Sequence, residues 1–207
     1  MSEAERSGRL AADQLRAILG ECEMGNQLIV VEEARSTNDI AWAAAERGAP
    51  EGFVVFAERQ TAGRGQYGRS WESAPYQGLW FSVLLRLRIT LNESPRLTSL
   101  LARVVAATII KETGCAASIK APNDIHVAGR KVAGVLVEGR MASDGSYIAV
   151  AGLGVNVNQT LKDFPAELQT TAGSLRMATG AQIQRGPLAV ALLRRLETDY
   201  RAFRPAG

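Results

Sequence analysis

Hydrophobic residues recur along the chain with two different periods, and their order predicts a succession of helices and strands. Apolar positions at helical spacing cover residues 9–20, 95–113 and 186–203. A further helix begins after Ser36, whose side chain can cap it, and ends at Gly48. Strand-like apolar runs cover residues 27–33, 53–60, 78–87, 118–127, 131–139 and 146–157. Because the last three runs follow one another without a helix between them, the pattern predicts an α+β fold with a mixed, largely antiparallel sheet flanked by helices.

The composition excludes several classes of protein. Hydrophobic residues make up 46% of the 207 residues and charged residues 22%, which is typical of a soluble globular domain. No apolar run approaches the roughly 20 residues that span a membrane, and the net charge of +3 is small for a nucleic-acid-binding domain. With Cys22 and Cys115 as the only cysteines, we expect no disulfide framework or zinc site, and a cytoplasmic location.

The stretch TAGRGQYGRSW, residues 61–71, contains the spacing G-x-G-x-x-G and is called the arginine loop. The same spacing marks dinucleotide-binding folds, but there a helix must follow the glycines. Here Pro75, Gly78 and a strand-like run follow, so that interpretation fails. Two alternatives remain open, namely a solvated hairpin loop and a phosphate cradle in which Arg64 and Arg69 supply forked donors beside glycine amides.

Two later segments also concentrate polar residues and glycines. KAPNDIHVAGRKVAGVLVEG (120–139) brings Lys120, Asn123, Asp124 and Lys131 close together around a proline and a predicted hairpin turn at Gly129. In AGLGVNVNQ (151–159), two glycines interrupt a strand-like run, which indicates close approach of a ligand or of another backbone.

In this order, RSTND, AGRGQYGRSW, KAPNDIHVAGRKVAGVLVEG and GLGVNVNQ resemble the four motifs of the biotin protein ligases. The resemblance covers roughly residues 28–204 and implies a catalytic domain similar to those of class II aminoacyl-tRNA synthetases. It also implies a two-step reaction. Biotin and ATP form biotinyl-5′-AMP and pyrophosphate, with Mg²⁺ on the triphosphate, and a lysine of a biotin carboxyl carrier protein then takes the biotinyl group.

The resemblance further implies a division of the chain. Residues 1–26 would form an N-terminal helical extension and residues 27–207 the catalytic domain, with neither a DNA-binding module nor the small C-terminal β domain of many members. We expect no metal ligand from the protein, no nucleic-acid partner and no membrane contact. We do expect a homodimer.

Roles for individual residues follow from the matching positions. The catalytic set implied by the resemblance is Arg64, Arg69, Lys120, Asp124 and Lys131. The set that would bind biotin is Ser36, Thr37, Asn38, Gln60, Gly63, Arg64, Lys131, Gly134, Gly152 and Gly154. The set that would bind the nucleotide is Arg64, Gly65, Arg69, Trp71, Asn123, Lys131 and Asn156.

The sequence departs from the family pattern at two positions within the motifs. Gln66 stands where the loop often carries arginine, and Ala121 replaces the usual tryptophan of KWPND. Two alternatives to a biotin ligase remain. One is a lipoate or octanoate ligase or transferase of the same superfamily, although Cys115 lies outside every motif and is expected to be a packing residue. The other is a biotin-binding module without turnover.

Overall fold

The computed structural model describes residues 8–204, and within them seven strands form one mixed sheet. The strands are Leu28–Ala34 (β1), Val54–Gln60 (β2), Gly78–Leu87 (β3), Ala117–Lys120 (β4), Asp124–Val127 (β5), Arg130–Met141 (β6) and Tyr147–Asn156 (β7). Their order across the sheet is β1-β2-β3-β7-β6-β5-β4, and every pair is antiparallel except β1 with β2. The predicted fold class is therefore confirmed.

Five α-helices flank this sheet in the described part of the chain. They are Ala12–Leu19 (α1), Thr37–Glu46 (α2), Ser94–Thr113 (α3), Leu175–Thr179 (α4) and Arg185–Phe203 (α5). Local sequence sets their ends: the Ser36 hydroxyl accepts a hydrogen bond from the Asn38 amide, and α3 stops where Gly114 takes a left-handed conformation with φ 70°. The short helix α4 was not predicted, and α1 begins three residues later than expected.

The predicted turn at Gly129 joins β5 and β6. Ala128 and Gly129 both have positive φ values, 49° and 76°, as a two-residue turn between twisted strands requires. The segment 118–127, in contrast, is not the single run that its apolar positions predicted. It divides into β4 and β5, which pair with each other so that Lys120 is opposite Asp124.

The sheet separates two hydrophobic cores. The larger core lies between one face and the long helices, with fully buried residues such as Phe81, Leu101 and Leu193. The smaller core lies on the opposite face, where Ala41 and Ala45 of α2 pack against Leu84 and Val150. Helix α2 therefore covers only part of that second face.

A buried ion pair connects the N-terminal segment to the sheet. Arg185 of α5 forms two hydrogen bonds with the carboxylate of Glu58, and the exposed fractions of their side chains are 2% and 1%. The same carboxylate accepts the amide of Leu10, and the guanidinium also donates to the carbonyl of Gly78. Residues 1–7 of the predicted extension lie outside the described residues, and the division at residue 26 stays a prediction.

No helix within residues 8–204 has both the length and the hydropathy that a membrane crossing requires.

Candidate active site

A cavity opens on the face of the sheet that α2 covers only in part. Side chains alternate between the two faces of a strand, so Ser82 points to the same side as Leu84, and Gly152 to the same side as Val150. The cavity thus begins where the smaller core ends. Its walls come from the start of α2, the arginine loop and strands β2, β3, β6 and β7, with Asn123 before β5.

The floor of the cavity consists of three glycines, Gly134, Gly152 and Gly154, which are called the glycine floor. Gly134 and Gly154 are direct cross-strand partners on β6 and β7. A Cβ atom added at Gly154 would lie 2.6 Å from Cε2 of Trp71, and one at Gly152 would lie 2.5 Å from Oδ1 of Asn38. Real Cβ atoms do not approach so closely, so these positions require glycine because neighbouring side chains lie against the backbone itself.

Trp71, the last residue of the arginine loop, covers part of this floor. Its ring contacts that of Trp80 edge-on, with centroids 6.1 Å apart. Its indole nitrogen is buried and has no acceptor among the described residues. A buried donor of this kind is uncommon in folded proteins, and here it borders the cavity.

At one end of the cavity, polar side chains from three elements form a hydrogen-bond network. Gln60 accepts from both the amide and the hydroxyl of Thr37, at 2.8 and 3.1 Å. The fully buried hydroxyl of Ser82 lies 2.7 Å from the Thr37 hydroxyl and 2.6 Å from Oδ1 of Asn38. The Ser36 side chain caps α2 at the same place. These groups offer both donors and acceptors to a polar ligand.

Arg64 lies at the rim, held by two carboxylates. Its Nη1 is 2.8 Å from Oδ1 of Asp39, and its Nε and Nη2 both donate to Glu138. Partial burial acts to lower the pKa of Arg64, but the hydrogen bonds and charges of Asp39 and Glu138 outweigh it and raise that pKa. The guanidinium is therefore a permanent positive charge at the rim.

Lys131 supplies the second cation of the cavity wall. Its ammonium group is 2.7 Å from Oδ1 of Asp124 and 5.2 Å from the centre of the Trp71 ring. The main chain of Lys131 is fixed as well, since its amide donates to the carbonyl of Thr171. A carboxylate or phosphate at this wall would meet a lysine whose position is already defined.

Most of the residues implied by the resemblance line the cavity. Those are Ser36, Thr37, Asn38, Gln60, Arg64, Gly65, Trp71, Asn123, Lys131, Gly134, Gly152 and Gly154. The remaining ones do not belong to its lining: Gly63, Arg69, Lys120, Asp124 and Asn156.

The residues outside the lining have different environments. Gly63 and Arg69 close the arginine loop through their carbonyls, which accept the amides of Trp71 and Gly65. Asp124 reaches the wall through Lys131. Lys120 is exposed at the end of β4, and Asp124 pairs with Lys131 although Lys120 is nearer in sequence.

Asn156 is buried and engaged within the protein. Its side-chain amide donates to the carbonyl of Gly173 and its oxygen accepts from Gln159. This agrees with a role in satisfying backbone groups, and the predicted nucleotide contact remains a prediction.

Sequence reasoning missed several residues of the site. Glu138 and Ser82 carry polar side chains in runs that otherwise looked like core strands, and Asp39 lies on the exposed side of α2. Leu136 adds an apolar side chain to the lining, whereas the side chains of Phe81, Val135 and Leu153 belong to the larger core on the opposite face. A signal existed for Glu138, because residues 134, 136 and 138 of one strand share a face, and the first of these was already assigned to the site.

Comparisons with known proteins show the family of the chain. The profile of the Biotin/lipoate A/B protein ligase family matches residues 30–156. The bifunctional ligase/repressor BirA of Bacillus subtilis is 38% identical over 98% of the chain, and the chain spans 62% of the length of that relative. The biotin–[acetyl-CoA-carboxylase] ligase of Mycobacterium tuberculosis is 33% identical over 94% of the chain and 76% of its own length. The biotin protein ligase of Aquifex aeolicus in complex with biotin and ATP has a TM-score of 0.71 and 31% identity, over 86% of this chain and 72% of its own.

Proposed function

Because the chain belongs to the biotin/lipoate A/B protein ligase family, we propose that it activates biotin with ATP as biotinyl-5′-AMP. It then transfers the biotinyl group to a lysine of the biotin carboxyl carrier protein of acetyl-CoA carboxylase. The observation that carries the proposal is the convergence of Arg64 and Lys131 on one cavity with a glycine floor. The solved Aquifex aeolicus relative, described with biotin and ATP, supports it.

The two ends of the cavity suit the two ends of biotin. The ureido ring offers one carbonyl and two N–H groups, which match the donors and acceptors of Ser36, Thr37, Asn38 and Gln60. The apolar side chain of Leu136, on the same face of β6 as Gly134, suits the sulfur-containing ring and the aliphatic chain. The glycine floor lets the Trp71 ring and the Asn38 side chain lie against the sheet backbone, where they would face the bicyclic ring of biotin. The carboxylate would then point toward the two cations.

The first step joins two anions, so its transition state needs preorganised positive charge. A carboxylate oxygen of biotin attacks the α-phosphorus of ATP, and the bond to the β-phosphate oxygen breaks to release pyrophosphate. Arg64 and Lys131 are suited to hold the approaching oxygens, because their partners Asp39, Glu138 and Asp124 fix both side chains in advance. Asn123 and Trp71 would border the adenosine, and Arg69 would contact the phosphates as the loop closes.

The second step transfers the biotinyl group from AMP to nitrogen. The amine of the acceptor lysine attacks the carbonyl carbon, the bond to the phosphate oxygen breaks, and the amine loses a proton. Asp124 is the nearest carboxylate to Lys131 and is suited to orient the amine or take that proton. Lys120, exposed at the edge of the sheet, is suited to meet the carrier domain.

Mg²⁺ belongs to the proposal as part of the Mg–ATP substrate. Residues 8–204 contain no cluster of three or more histidine, cysteine or acidic side chains suited to a resident metal ion. The triphosphate oxygens would therefore hold most of its coordination sphere, as is usual for Mg²⁺. A cytoplasmic location is also proposed, since both cysteines are free thiols. So is a homodimer, formed through the sheet edge near the arginine loop, which is that of β1.

Pyrophosphate release tests the proposal and separates it from its alternatives. The protein is incubated with Mg–ATP and biotin, lipoate or octanoate in parallel. Release that depends on biotin supports a biotin ligase, whereas release with lipoate or octanoate alone indicates the sister enzymes. No release by folded protein indicates a binding module. Cys115, half-buried against the larger core and outside the cavity, does not favour the cysteine-dependent transferases.

A further inference from the structure

The carboxylate of Glu138 connects three parts of the cavity wall. It lies on β6, on the same face as Gly134 of the glycine floor. It accepts a hydrogen bond from Nδ2 of Asn38 at 3.0 Å and one from Nε1 of Trp42 at 3.3 Å, both on α2. It also accepts from the guanidinium of Arg64 in the arginine loop at 3.2 and 3.3 Å.

The contact with Arg64 defines the orientation of the guanidinium. Two nitrogens of the fork, Nε and Nη2, face the two oxygens of Glu138, whereas Asp39 meets Nη1 alone. A two-point contact fixes the plane of the group, and a one-point contact does not. Glu138 is also the better shielded acid, since its side chain is 30% exposed and that of Asp39 is 47% exposed. A shielded pair is screened less by salt and water.

The contact with Asn38 defines the orientation of an amide. Because Nδ2 of Asn38 donates to Glu138, its Oδ1 faces the buried hydroxyl of Ser82. Without the carboxylate, nothing in this group of contacts distinguishes the two ends of the amide. Glu138 thus fixes a donor at the polar end of the cavity and a cation at its rim.

We propose that Glu138 is a positioning residue for the adenylation step, acting through Arg64 and Asn38 without touching the substrates. The expected effect on adenylation rests on the proposed function, whereas the orientation of Arg64 and Asn38 by Glu138 does not. The guanidinium is held in the orientation that receives the anionic oxygens, and the amide in the orientation that receives the polar ring.

Glu138→Gln tests this with little change in shape, since the amide keeps one acceptor and loses the charge. The control is Glu33→Gln, which breaks an ion pair of the same length, 3.2 Å to Arg59, outside the cavity lining. Single-turnover formation of biotinyl-AMP should fall about tenfold in Glu138→Gln, the usual cost of a charge-assisted hydrogen bond, and stay at the parent rate in Glu33→Gln.

A double-mutant cycle separates positioning from general stability. In an Arg64→Ala background, Glu138→Gln should cause a clearly smaller loss, because its main target is gone. Equal losses in both backgrounds, or no loss in the parent background, would overturn the proposal.

A readout in the free protein distinguishes failure of this inference from failure of the proposed function. Trypsin must take an arginine side chain into its pocket, so the contacts of Arg64 protect the bond after it. Limited trypsin digestion followed by mass spectrometry should show cleavage after Arg64 several-fold faster in Glu138→Gln than in the parent and in Glu33→Gln. An unchanged cleavage rate would show that Glu138 does not hold Arg64 in place, even if the parent protein is an active ligase. Faster cleavage in a protein that releases no pyrophosphate would support the positioning of Arg64 by Glu138 and refute the proposed ligase activity.

Discussion

The ammonium group of Lys131 lies between the carboxylate of Asp124, 2.7 Å away, and the face of the Trp71 ring, 5.2 Å away. Lys131 is opposite His126 and Asp124 is opposite Gly134, with a register shift between Ile125 and His126, so the ammonium group reaches Asp124 diagonally across β5 and β6. The lysine is thus held from two sides, and neither contact occupies all three of its N–H groups.

We expect Lys131→Ala to reduce biotin-dependent pyrophosphate release on the order of 10²–10³-fold, because it removes one preorganised cation from the reacting centre. The fold should survive, since the Lys131 side chain is 32% exposed. Lys111→Ala on the exposed side of α3 serves as the control. A folded Lys131→Ala protein that releases pyrophosphate at the parent rate would remove Lys131 from the mechanism.

We expect Gly154→Ala to abolish measurable biotin binding, because the added methyl group would meet the Trp71 ring at 2.6 Å and push it into the cavity. The matched control is Gly186→Ala in α5, where the nearest atom would lie 3.8 Å from the new Cβ. Alanine is the better helix former, so the control should unfold no earlier than the parent. Titration calorimetry with biotin gives the affinity, and parent-like affinity in Gly154→Ala would show that Trp71 is free to move.

The comparison of sequence with structure shows which features local patterns can predict. Helix α3 was predicted to within a residue because its signals, a proline in the first turn and Gly114 at the end, are local. The ion pair of Asp124 could not be predicted in this way. Lys120 and Lys131 are both close to Asp124 in sequence, and only the pairing of β5 with β6 shows that Lys131 is the partner. Glu138 was missed for a similar reason: its donors lie 74 to 100 residues away.

We expect Arg185→Ala to lower the free energy of unfolding by about 3–5 kcal/mol, because it leaves the buried carboxylate of Glu58 without its cation. Arg195→Ala on the same helix is the control. Its partner Asp199 forms a surface pair of the kind that contributes less than about 1 kcal/mol. Urea unfolding measures both. Similar losses in the two variants would mean that water reaches Glu58 in the folded protein.

We expect the parent protein to release biotinyl-AMP and to label unrelated lysines, and Gln66→Arg to reduce that labelling. Gln66 lines the cavity, and it carries no charge to pair with the phosphate of the adenylate. A loop held less firmly excludes water and foreign amines less well. The assay combines biotin, Mg–ATP and a lysine-rich protein that is not a carrier domain. Labelling confined to the carrier domain, or unaffected by the substitution, would show that the loop closes without the arginine.

We expect the protein to sediment as a dimer at high concentration, because β1, at the sheet edge near the arginine loop, can pair with the same edge of a second chain. Sedimentation velocity is measured with and without biotin and Mg–ATP, since ordering of the arginine loop would alter the adjoining surface. A single monomer species under all these conditions would exclude the dimer.

The direct pairing of Gly134 with Gly154 has a consequence for how this cavity can change. No residue is smaller than glycine, so the depth of the cavity is already at its limit and every substitution in the floor makes it shallower. A ligand larger than the proposed biotin can gain room only at the walls, for instance by substitution of Trp71 or Leu136 with a smaller residue. Variation in ligand size is therefore open to the loop and the rims of the strands, whereas the sheet backbone sets a boundary that no point mutation can move.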